Sequence, residues 1–291
     1  MSLRCTGLDV VRGGRRVVAG VALDLPRGQL HVIVGPNGAG KSSLLAALTG
    51  ELAPSAGGVV IAGRPLADWQ PRPLAQTRAL LGQRPELPFA MAAWQLVSLG
   101  RLPHGATPEE DDAVVQHCLE RFGLLDLADR DARALSGGEV QRVNLARVVA
   151  QLTRTSTTAP AADAEAAEHA EKPGDTAFKT TGWLLLDEPT AALDLGRADQ
   201  TLQLLRSLCS ADLGVVAVVH DLGLALRHAD TVTLLHDGRC VASGPPTETL
   251  QPALVEAVWG VAVDALRDAT GAIVALVPKT NAALAAAGRG L

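Results

Sequence analysis

Short apolar runs alternate along the chain with longer segments in which apolar residues recur at helical spacing. The runs are rich in leucine and valine, and they have the length of strands that are buried on both faces. They occur at residues 30–34, 183–187, 214–219 and 231–235. This alternation predicts an α/β fold with a mixed, largely parallel sheet. Residues 1–25 and 57–63 contain glycine turns between short runs, and they predict an N-terminal antiparallel β subdomain.

The middle of the chain carries two helix starts. Thr107 precedes a proline and four acidic residues, which favour a helix by capping and by charge. Ser136 occupies an N-cap position, and Glu139 follows three residues later as in a capping box. The apolar face of this second helix is formed by Leu145, Val148, Val149 and Leu152. We therefore expect a helical subdomain over about residues 84–152.

One polar segment interrupts the pattern at residues 154–182. It contains no isoleucine, leucine, valine or methionine, and its only aromatic residue is Phe178. Such a segment buries too little apolar surface to offset the entropy of ordering, so we interpret it as a solvated spacer. Its centre, residues 161–172, has the composition of a marginal helix of about three turns, in which His169 is solvated rather than a metal ligand.

Composition limits the class of protein. The chain has 291 residues, of which 47% are hydrophobic, and a formal net charge of −5. These values suit one or two compact domains with a sizeable buried core, and they argue against nucleic acid as a partner. We expect a single domain over residues 1–265 and a C-terminal extension at 266–291. We expect neither a secretory signal nor a membrane-spanning helix. The cysteines are far apart, which favours reduced thiols in the cytosol; they are Cys5, Cys118, Cys209 and Cys240.

The strongest chemical signal is GPNGAGKS at residues 35–42, between a predicted strand and an apolar helix. A glycine-rich turn before an ordinary helix is the simpler interpretation. However, the strand context and the Gly-Lys-Ser ending favour a P-loop, in which main-chain N–H groups surround phosphate oxygens. In that case Lys41 reaches the β- and γ-phosphates, and the Ser42 hydroxyl ligates Mg²⁺.

Two adjacent acids end the apolar run at 183–187. Asp187 would lie at the carboxyl edge of the sheet, where the Mg²⁺ of a nucleotide is held. Glu188 points elsewhere, to a place from which it could polarise a water that attacks the γ-phosphate. We therefore expect Asp187 to hold the metal and Glu188 to activate the nucleophile, although both could be ordinary polar residues at a strand end.

Five motifs in this order resemble those of the ATP-binding subunits of ABC transporters, and the resemblance covers residues 2 to about 263. The motifs are GPNGAGKS at 35–42, LSGGEVQR at 135–142, LLLDEP at 184–189, TAALD at 190–194 and VVHD at 218–221. The resemblance implies a P-loop NTPase core that binds ATP and Mg²⁺. It implies nucleotide contacts from Gly35, Pro36, Asn37, Gly38, Ala39, Gly40, Lys41, Ser42 and Ser43.

The resemblance also implies a homodimer in which each ATP lies between two copies. Ser136, Gly137 and Gly138 would bind the γ-phosphate held by residues 35–43 of the opposite copy, and Asp194 would belong to the loop that crosses the interface. By itself the Ser-Gly-Gly sequence is a helix cap, and most such caps bind nothing.

Further catalytic and metal contacts follow from the same resemblance. His220 matches the histidine that contacts the γ-phosphate and the attacking water. Gln83 matches the glutamine that reaches Mg²⁺ and water, and that begins the segment touching the membrane partner. As isolated residues, His220 would more often be structural and Gln83 an exposed loop residue. Together with Glu188 and Lys41 they form the expected catalytic set, and Ser42, Gln83 and Asp187 form the expected metal set.

The adenine contact departs from the family pattern. Such ATPases stack an aromatic side chain on the base shortly before the P-loop, but this chain contains no tyrosine. The corresponding position is near Val11 or Arg12. A guanidinium can stack on a π-face, so Arg12 is the candidate substitute.

The cargo is inferred from resemblance alone. Residues 88–104 resemble the importers of iron-siderophores, cobalamin and haem, and the polar spacer resembles that of haemin-import ATPases in particular. The apolar residues Phe89, Met91 and Trp94 suit either docking of a permease helix or packing within the helical subdomain. We expect two membrane permease subunits, a periplasmic binding protein outside, and a peripheral position on the cytoplasmic face of the inner membrane.

Other ABC ATPases fit the sequence less well. Those of DNA repair carry long heptad arms or a zinc module between the motifs, and ribosome-associated factors carry two cassettes and a basic linker. Neither pattern is present in this chain.

Overall fold

The computed structural model of the chain describes residues 2–83, 90–155, 178–191 and 193–279. The strands are β1 Ser2–Arg12, β2 Arg15–Pro26, β3 Leu30–Val34, β4 Ala56–Ile61, β5 Arg64–Pro65, β6 Arg78–Leu81, β7 Thr153–Thr155, β8 Phe178–Thr180, β9 Gly182–Asp187, β10 Leu213–Val218, β11 Thr231–His236, β12 Arg239–Gly244, β13 Val263–Arg267 and β14 Ile273–Pro278. The helices are α1 Lys41–Thr49, α2 Pro71–Ala75, α3 Ala93–Ser98, α4 Pro108–Arg121, α5 Gly137–Leu152, α6 Leu195–Leu208, α7 Leu222–His228, α8 Pro246–Thr249 and α9 Pro252–Trp259.

The central sheet has the strand order β12-β11-β3-β10-β9-β6. Neighbours from β11 to β6 pair in parallel, and β12 pairs with β11 in the antiparallel direction. The mixed, largely parallel sheet is therefore confirmed, and its four predicted strands are β3, β9, β10 and β11. Because these strands are parallel, the residues that follow β3, β9 and β10 meet at one edge of the sheet.

Both faces of the central sheet are covered. Side chains alternate along β9, so that Leu184 and Leu186 pack in the core beneath α5 and α6, whereas Trp183 and Leu185 pack toward α1. All four are fully buried. This alternation explains why the run contains no polar position before Asp187.

The antiparallel subdomain has the order β2-β1-β4-β5, as the first residues predict. Its inward side chains, among them Leu3, Leu8, Val18 and Ile61, share one core with Leu44 of α1 and with one face of the central sheet. This contact places the β1–β2 hairpin beside the loop that follows β3.

Helices α3, α4 and α5 pack together in the middle of the chain. The predicted start of α4 is confirmed, since Thr107 Oγ1 accepts a hydrogen bond from the Glu110 amide at 3.3 Å, and Glu110 Oε2 accepts one from the Thr107 amide at 3.1 Å. At the start of α5, the Ser136 amide donates to Glu139 Oε2 at 2.7 Å.

The apolar residues predicted to lie near α3 have different surroundings. Met91 is partly buried against the core, whereas 39% of the Trp94 surface is exposed. Phe89 lies outside the described residues. Met91 therefore fits packing within the helical subdomain, whereas the exposed Trp94 fits docking of a permease helix.

The ends of the predicted spacer differ from the expectation of a solvated segment. Residues 153–155 and 178–180 form the antiparallel pair β7 and β8, and Thr155 is buried. The Phe178 ring stacks on His117 of α4, with ring centroids 4.2 Å apart. The polar pattern hid this pair because its hydroxyls bond to each other, with Thr153 Oγ1 and Thr180 Oγ1 2.9 Å apart. The predicted helix at 161–172 and His169 lie outside the described residues.

We expect that residues 156–177 can be replaced by Asn-Gly without loss of the fold. Thr155 and Phe178 are paired residues at the open end of the ladder, and a two-residue turn of this type closes such a pair. Thermal denaturation should give a melting temperature close to that of the parent chain. A variant that also lacks 153–155 and 178–180 is the control and should be less stable. An unfolded Asn-Gly variant would show that residues 156–177 themselves stabilise the domain.

The chain continues past α9 into the hairpin β13–β14. Val263 and Ile273 are buried, and Leu276 packs against the main core. Strand β13 therefore crosses the boundary predicted at residue 265. None of the helices in the described part of the chain has the length and apolar character needed to cross a lipid bilayer.

Candidate functional site

The loop between β3 and α1 has the conformation of a phosphate-binding loop, and two glycines make it possible. Gly35 and Gly40 have φ angles of 153° and 96°. A Cβ on Gly35 would lie 2.2 Å from the Leu235 carbonyl oxygen, and one on Gly40 would lie 2.3 Å from that of Val17. Only glycine fits these positions, because the backbones of β11 and β2 approach the loop this closely.

Lys41 is the first residue of α1, and only 6% of its surface is exposed. Its Nζ donates hydrogen bonds to the carbonyl oxygens of Gly35 at 2.8 Å and Pro36 at 2.9 Å. Burial lowers the pKa of the ammonium group, while the nearby charges of Glu188 and Asp187 act in the opposite direction. The ammonium group therefore lies inside the loop, as a P-loop lysine must.

Ser42 and Asp187 meet at the edge of the sheet. Ser42 Oγ donates to Asp187 Oδ1 at 3.2 Å, although the residues are 145 positions apart. Burial raises the pKa of Asp187; the hydrogen bond from Ser42 lowers it, and the neighbouring Glu188 raises it. A hydroxyl beside a half-buried carboxylate forms an oxygen-rich pair of the kind that Mg²⁺ selects.

Glu188 follows Asp187 in a left-handed conformation, with φ at 55°. This conformation costs about 1–2 kcal/mol for a residue with a side chain. Gln83 Nε2 donates to Glu188 Oε1 at 2.8 Å, and His220 Nε2 lies 2.5 Å from the same oxygen. The three side chains follow β6, β9 and β10. The predicted catalytic residues Gln83, Glu188 and His220 are thus brought together.

A cavity of about 490 Å³ joins these groups. It is lined by Arg12, Val17, Asn37, Gly38, Ala39, Gly40, Lys41, Ser42, Ser43, Gln83, Glu188 and His220. Two of the lining residues are held by hydrogen bonds to residues that do not line the cavity. Lys41 donates to the carbonyls of Gly35 and Pro36, and Ser42 donates to Asp187. The sequence predicts every lining residue except Val17. No sequence signal identifies Val17, because it lies in β2 and reaches the cavity only through the packing of the hairpin beside the loop.

Arg12 ends β1 and is exposed at the mouth of this cavity. Together with Val17 it gives the hairpin a cationic group and an apolar group on the cavity side. These are suitable neighbours for the face and edge of a purine.

The LSGGEVQR motif at 135–142, called the signature below, lies outside this cavity. Ser136, Gly137 and Gly138 are at the start of α5 and do not line the cavity. Arg197 lies beside Gly138, where an added Cβ would be 3.0 Å from its Nη1. Asp194 Oδ1 caps α6 by accepting the Arg197 amide at 2.9 Å. The signature and the TAALD loop are therefore neighbours on the same molecule.

One contact near Glu188 has no counterpart in the sequence analysis. Gln141 of α5 donates from Nε2 to the carbonyl oxygen of Pro189 at 2.8 Å. Pro189 follows Glu188 directly. Gln141 belongs to the LSGGEVQR motif, but the sequence analysis gave a role only to Ser136, Gly137 and Gly138 of that motif, and no local pattern predicts this bond.

A second cavity of about 300 Å³ lies on the other side of Glu188. Its lining residues are Glu188, Thr190, Ala191, Leu193, Leu195, Ala198, His220, Asp221 and Leu224. Leu195 at its edge has 72% of its surface exposed. Glu188 therefore lies between two open spaces, one bounded by the P-loop and the other by the TAALD segment.

Comparisons with known proteins agree with this geometry. The family model described as ABC transporter matches residues 18–155. The Hemin import ATP-binding protein HmuV of Rhodococcus jostii is 39% identical over 279 residues, which are 95% of this chain and 86% of that protein. The protein of the same name from Pseudomonas putida is 41% identical over 261 residues, 90% and 93% of the two chains.

A solved structure gives the same result for the fold. A metal-chelate type ABC transporter in an inward-facing conformation superposes with a TM-score of 0.75, covers 97% of this chain and 99% of its own, and is 24% identical. Sequence identity near 40% to the two HmuV proteins, over nine-tenths of the chain, indicates shared ancestry. The chain belongs to the ABC transporter family, as one of its ATP-binding, ATP-hydrolysing subunits.

Proposed function

We propose that the chain hydrolyses ATP to power the import of haemin across the inner membrane. The observation that supports haemin as the cargo is the sequence identity to proteins named for hemin import. It is 39% and 41% for two such proteins, over 95% and 90% of this chain. The cargo does not contact this subunit, so the nucleotide site takes part in import only by supplying energy.

The working unit is a homodimer beneath two membrane permease subunits, with a periplasmic binding protein delivering the cargo. The chain is peripheral, on the cytoplasmic face of the membrane. The position of Ser136, Gly137 and Gly138 supports the pairing, since these donors at a helix start lie away from their own P-loop cavity. In a head-to-tail pair they reach the γ-phosphate held by the other copy. The exposed Leu195 beside the second cavity provides apolar surface for the same contact.

The residues present fit a magnesium-bound triphosphate. Gly35 and Gly40 allow the loop to turn while the backbones of β11 and β2 approach it closely, and Lys41 is already inside the loop. Ser42, Asp187 and Gln83 would hold Mg²⁺ through oxygen atoms. When bound, this ion neutralises charge on the β- and γ-phosphate oxygens. Arg12 would stack on the adenine.

Hydrolysis requires a water aligned with the γ-phosphate and an acceptor for its proton. Glu188 supplies the acceptor, because its carboxylate faces the cavity beside Lys41. Gln83 and His220 hold one oxygen of that carboxylate and fix its direction. As the water oxygen bonds to the γ-phosphorus, the bond to the β-phosphate oxygen breaks, ADP leaves and Glu188 takes the proton.

We expect cells lacking the gene for this chain to lose growth on haemin as the sole iron source. The wild-type gene should restore growth, whereas a gene encoding Glu188→Gln should not, because import then lacks its energy supply. Growth on a ferric siderophore and cobalamin uptake should be unchanged in the same strain. If cobalamin or siderophore uptake were lost and haemin use persisted, the cargo assignment would be wrong while the ATPase assignment stood.

A further inference from the structure

Gln141 links the signature helix to the catalytic carboxylate of the same molecule. It lies one helical turn after Gly137, and its side chain is half-buried. Its Nε2 donates to the Pro189 carbonyl at 2.8 Å, on the residue adjacent to Glu188. Gln141 does not line the nucleotide cavity of its own copy, and its hydrogen bond reaches the turn that carries Glu188.

The turn at Glu188 needs such support. Its φ of 55° is unfavourable for a residue with a side chain, so surrounding contacts must maintain it. At the backbone, the Ala191 amide donates to the Glu188 carbonyl at 3.0 Å. At the side chain, Gln83 and His220 hold Oε1. The bond from Gln141 holds the next carbonyl along the chain, and its donor lies in the second turn of α5.

We propose that Gln141 is a positioning residue that orients the Glu188–Pro189 turn, and that it couples the catalytic carboxylate to the start of α5. The proposal rests on the catalytic role proposed for Glu188 and on the head-to-tail pair. In that pair, Ser136 to Gly138 bind the ATP held by the other copy. Gly137 and Gln141 are four residues apart on one helix, about 6 Å. Binding of one ATP therefore adjusts the Glu188 that acts on the second ATP.

The test compares two changes on the same helix. Gln141→Met keeps the length of the side chain and removes its donor. It should lower kcat at saturating Mg-ATP by about threefold to tenfold, the effect expected for one hydrogen bond, with ATP affinity unchanged within twofold. Gln151→Met is the matched control: Gln151 Nε2 donates to the carbonyls of Ala75 at 2.8 Å and Arg78 at 3.2 Å, away from Glu188. It should lower the melting temperature and leave kcat unchanged.

Two further readouts separate positioning from general stability. On the Glu188→Gln background, Gln141→Met should cause no additional loss of kcat, because the group that it positions is already absent. Additive losses would overturn the proposal. The Hill coefficient for ATP should fall toward one in Gln141→Met, and an unchanged coefficient would overturn the coupling.

Gln141→Ala provides a second variant in case methionine disturbs packing, and it must give the same pattern. Normal kcat in a folded Gln141→Ala protein would overturn the positioning role. All these measurements use the full chain and ATP alone, so they are independent of the cargo. If Glu188→Gln itself hydrolysed ATP normally, the proposed catalytic role would fail first, and that result is distinguishable from a failure of Gln141.

Discussion

Glu188→Gln is expected to lower the steady-state rate of ATP hydrolysis by about 10²- to 10⁴-fold, the range associated with loss of a general base. The amide has the shape of the carboxylate, and its oxygen can still accept the hydrogen bond that Gln83 donates at 2.8 Å. The P-loop and Lys41 are untouched, so ATP affinity should remain within a fewfold of the wild type. The rate is measured as phosphate release at saturating Mg-ATP.

The same variant should accumulate as an ATP-bound pair, because the step that separates the copies is blocked. Gel filtration with Mg-ATP should show a dimer for Glu188→Gln, and a smaller dimer fraction for the wild type. The matched control is Glu256→Gln on the exposed face of α9, which should behave as the wild type. Wild-type turnover by Glu188→Gln would remove this carboxylate from the mechanism.

Lys41→Met is expected to weaken ATP binding by about tenfold to a hundredfold. Hydrogen bonds between a charged group and its partner contribute about 1.5–3 kcal/mol, and Lys41 is the buried cation of the phosphate loop. Without nucleotide the variant should remain folded, because methionine fills the same space and the lost contacts are only those to Gly35 and Pro36. Isothermal titration with Mg-ATP gives the affinity. The rise in melting temperature with nucleotide should shrink accordingly.

Lys179→Met is the control for loss of a positive charge. Lys179 pairs with Asp212 at 3.0 Å on the surface, with 60% and 45% of the two side chains exposed. Such pairs contribute about 0–1 kcal/mol, so neither affinity nor melting temperature should change much. Equal loss of ATP binding in both lysine variants would point to the net charge of the protein rather than to the phosphate loop.

Local sequence signals predicted the strands whose ends position the site residues. The run at 30–34 has the same bounds as β3. The β-branched residues end at Val34, and the next residue, Gly35, begins a loop that has no room for a side chain. The end of β9 at Asp187 was likewise readable, because burial on both faces allows no charge before the sheet edge. Parallel pairing of these strands then makes the approach of Ser42 to Asp187 a consequence of topology.

Contacts between distant segments were less accessible. Gln83 and Glu188 are 105 positions apart, and only the family resemblance identified the glutamine before their hydrogen bond was seen. Gln141 lies within the LSGGEVQR motif but was given no role, because a side chain that bonds to a backbone carbonyl leaves no pattern in its partner, Pro189. The sequence also did not predict the left-handed conformation of Glu188, since the left-handed region of backbone angles is normally occupied by glycine or asparagine.

The pairing of β7 with β8 has a practical consequence for labelling. It joins the end of α5 to the start of β9 independently of what lies between residues 155 and 178. The free-energy cost of closing a loop, which is entropic, rises by only about 0.6 kcal/mol for each doubling of the loop's length. A fluorescent domain or affinity tag inserted there would therefore report on the subunit inside an assembled transporter, while the nucleotide cavity keeps its native amino acids.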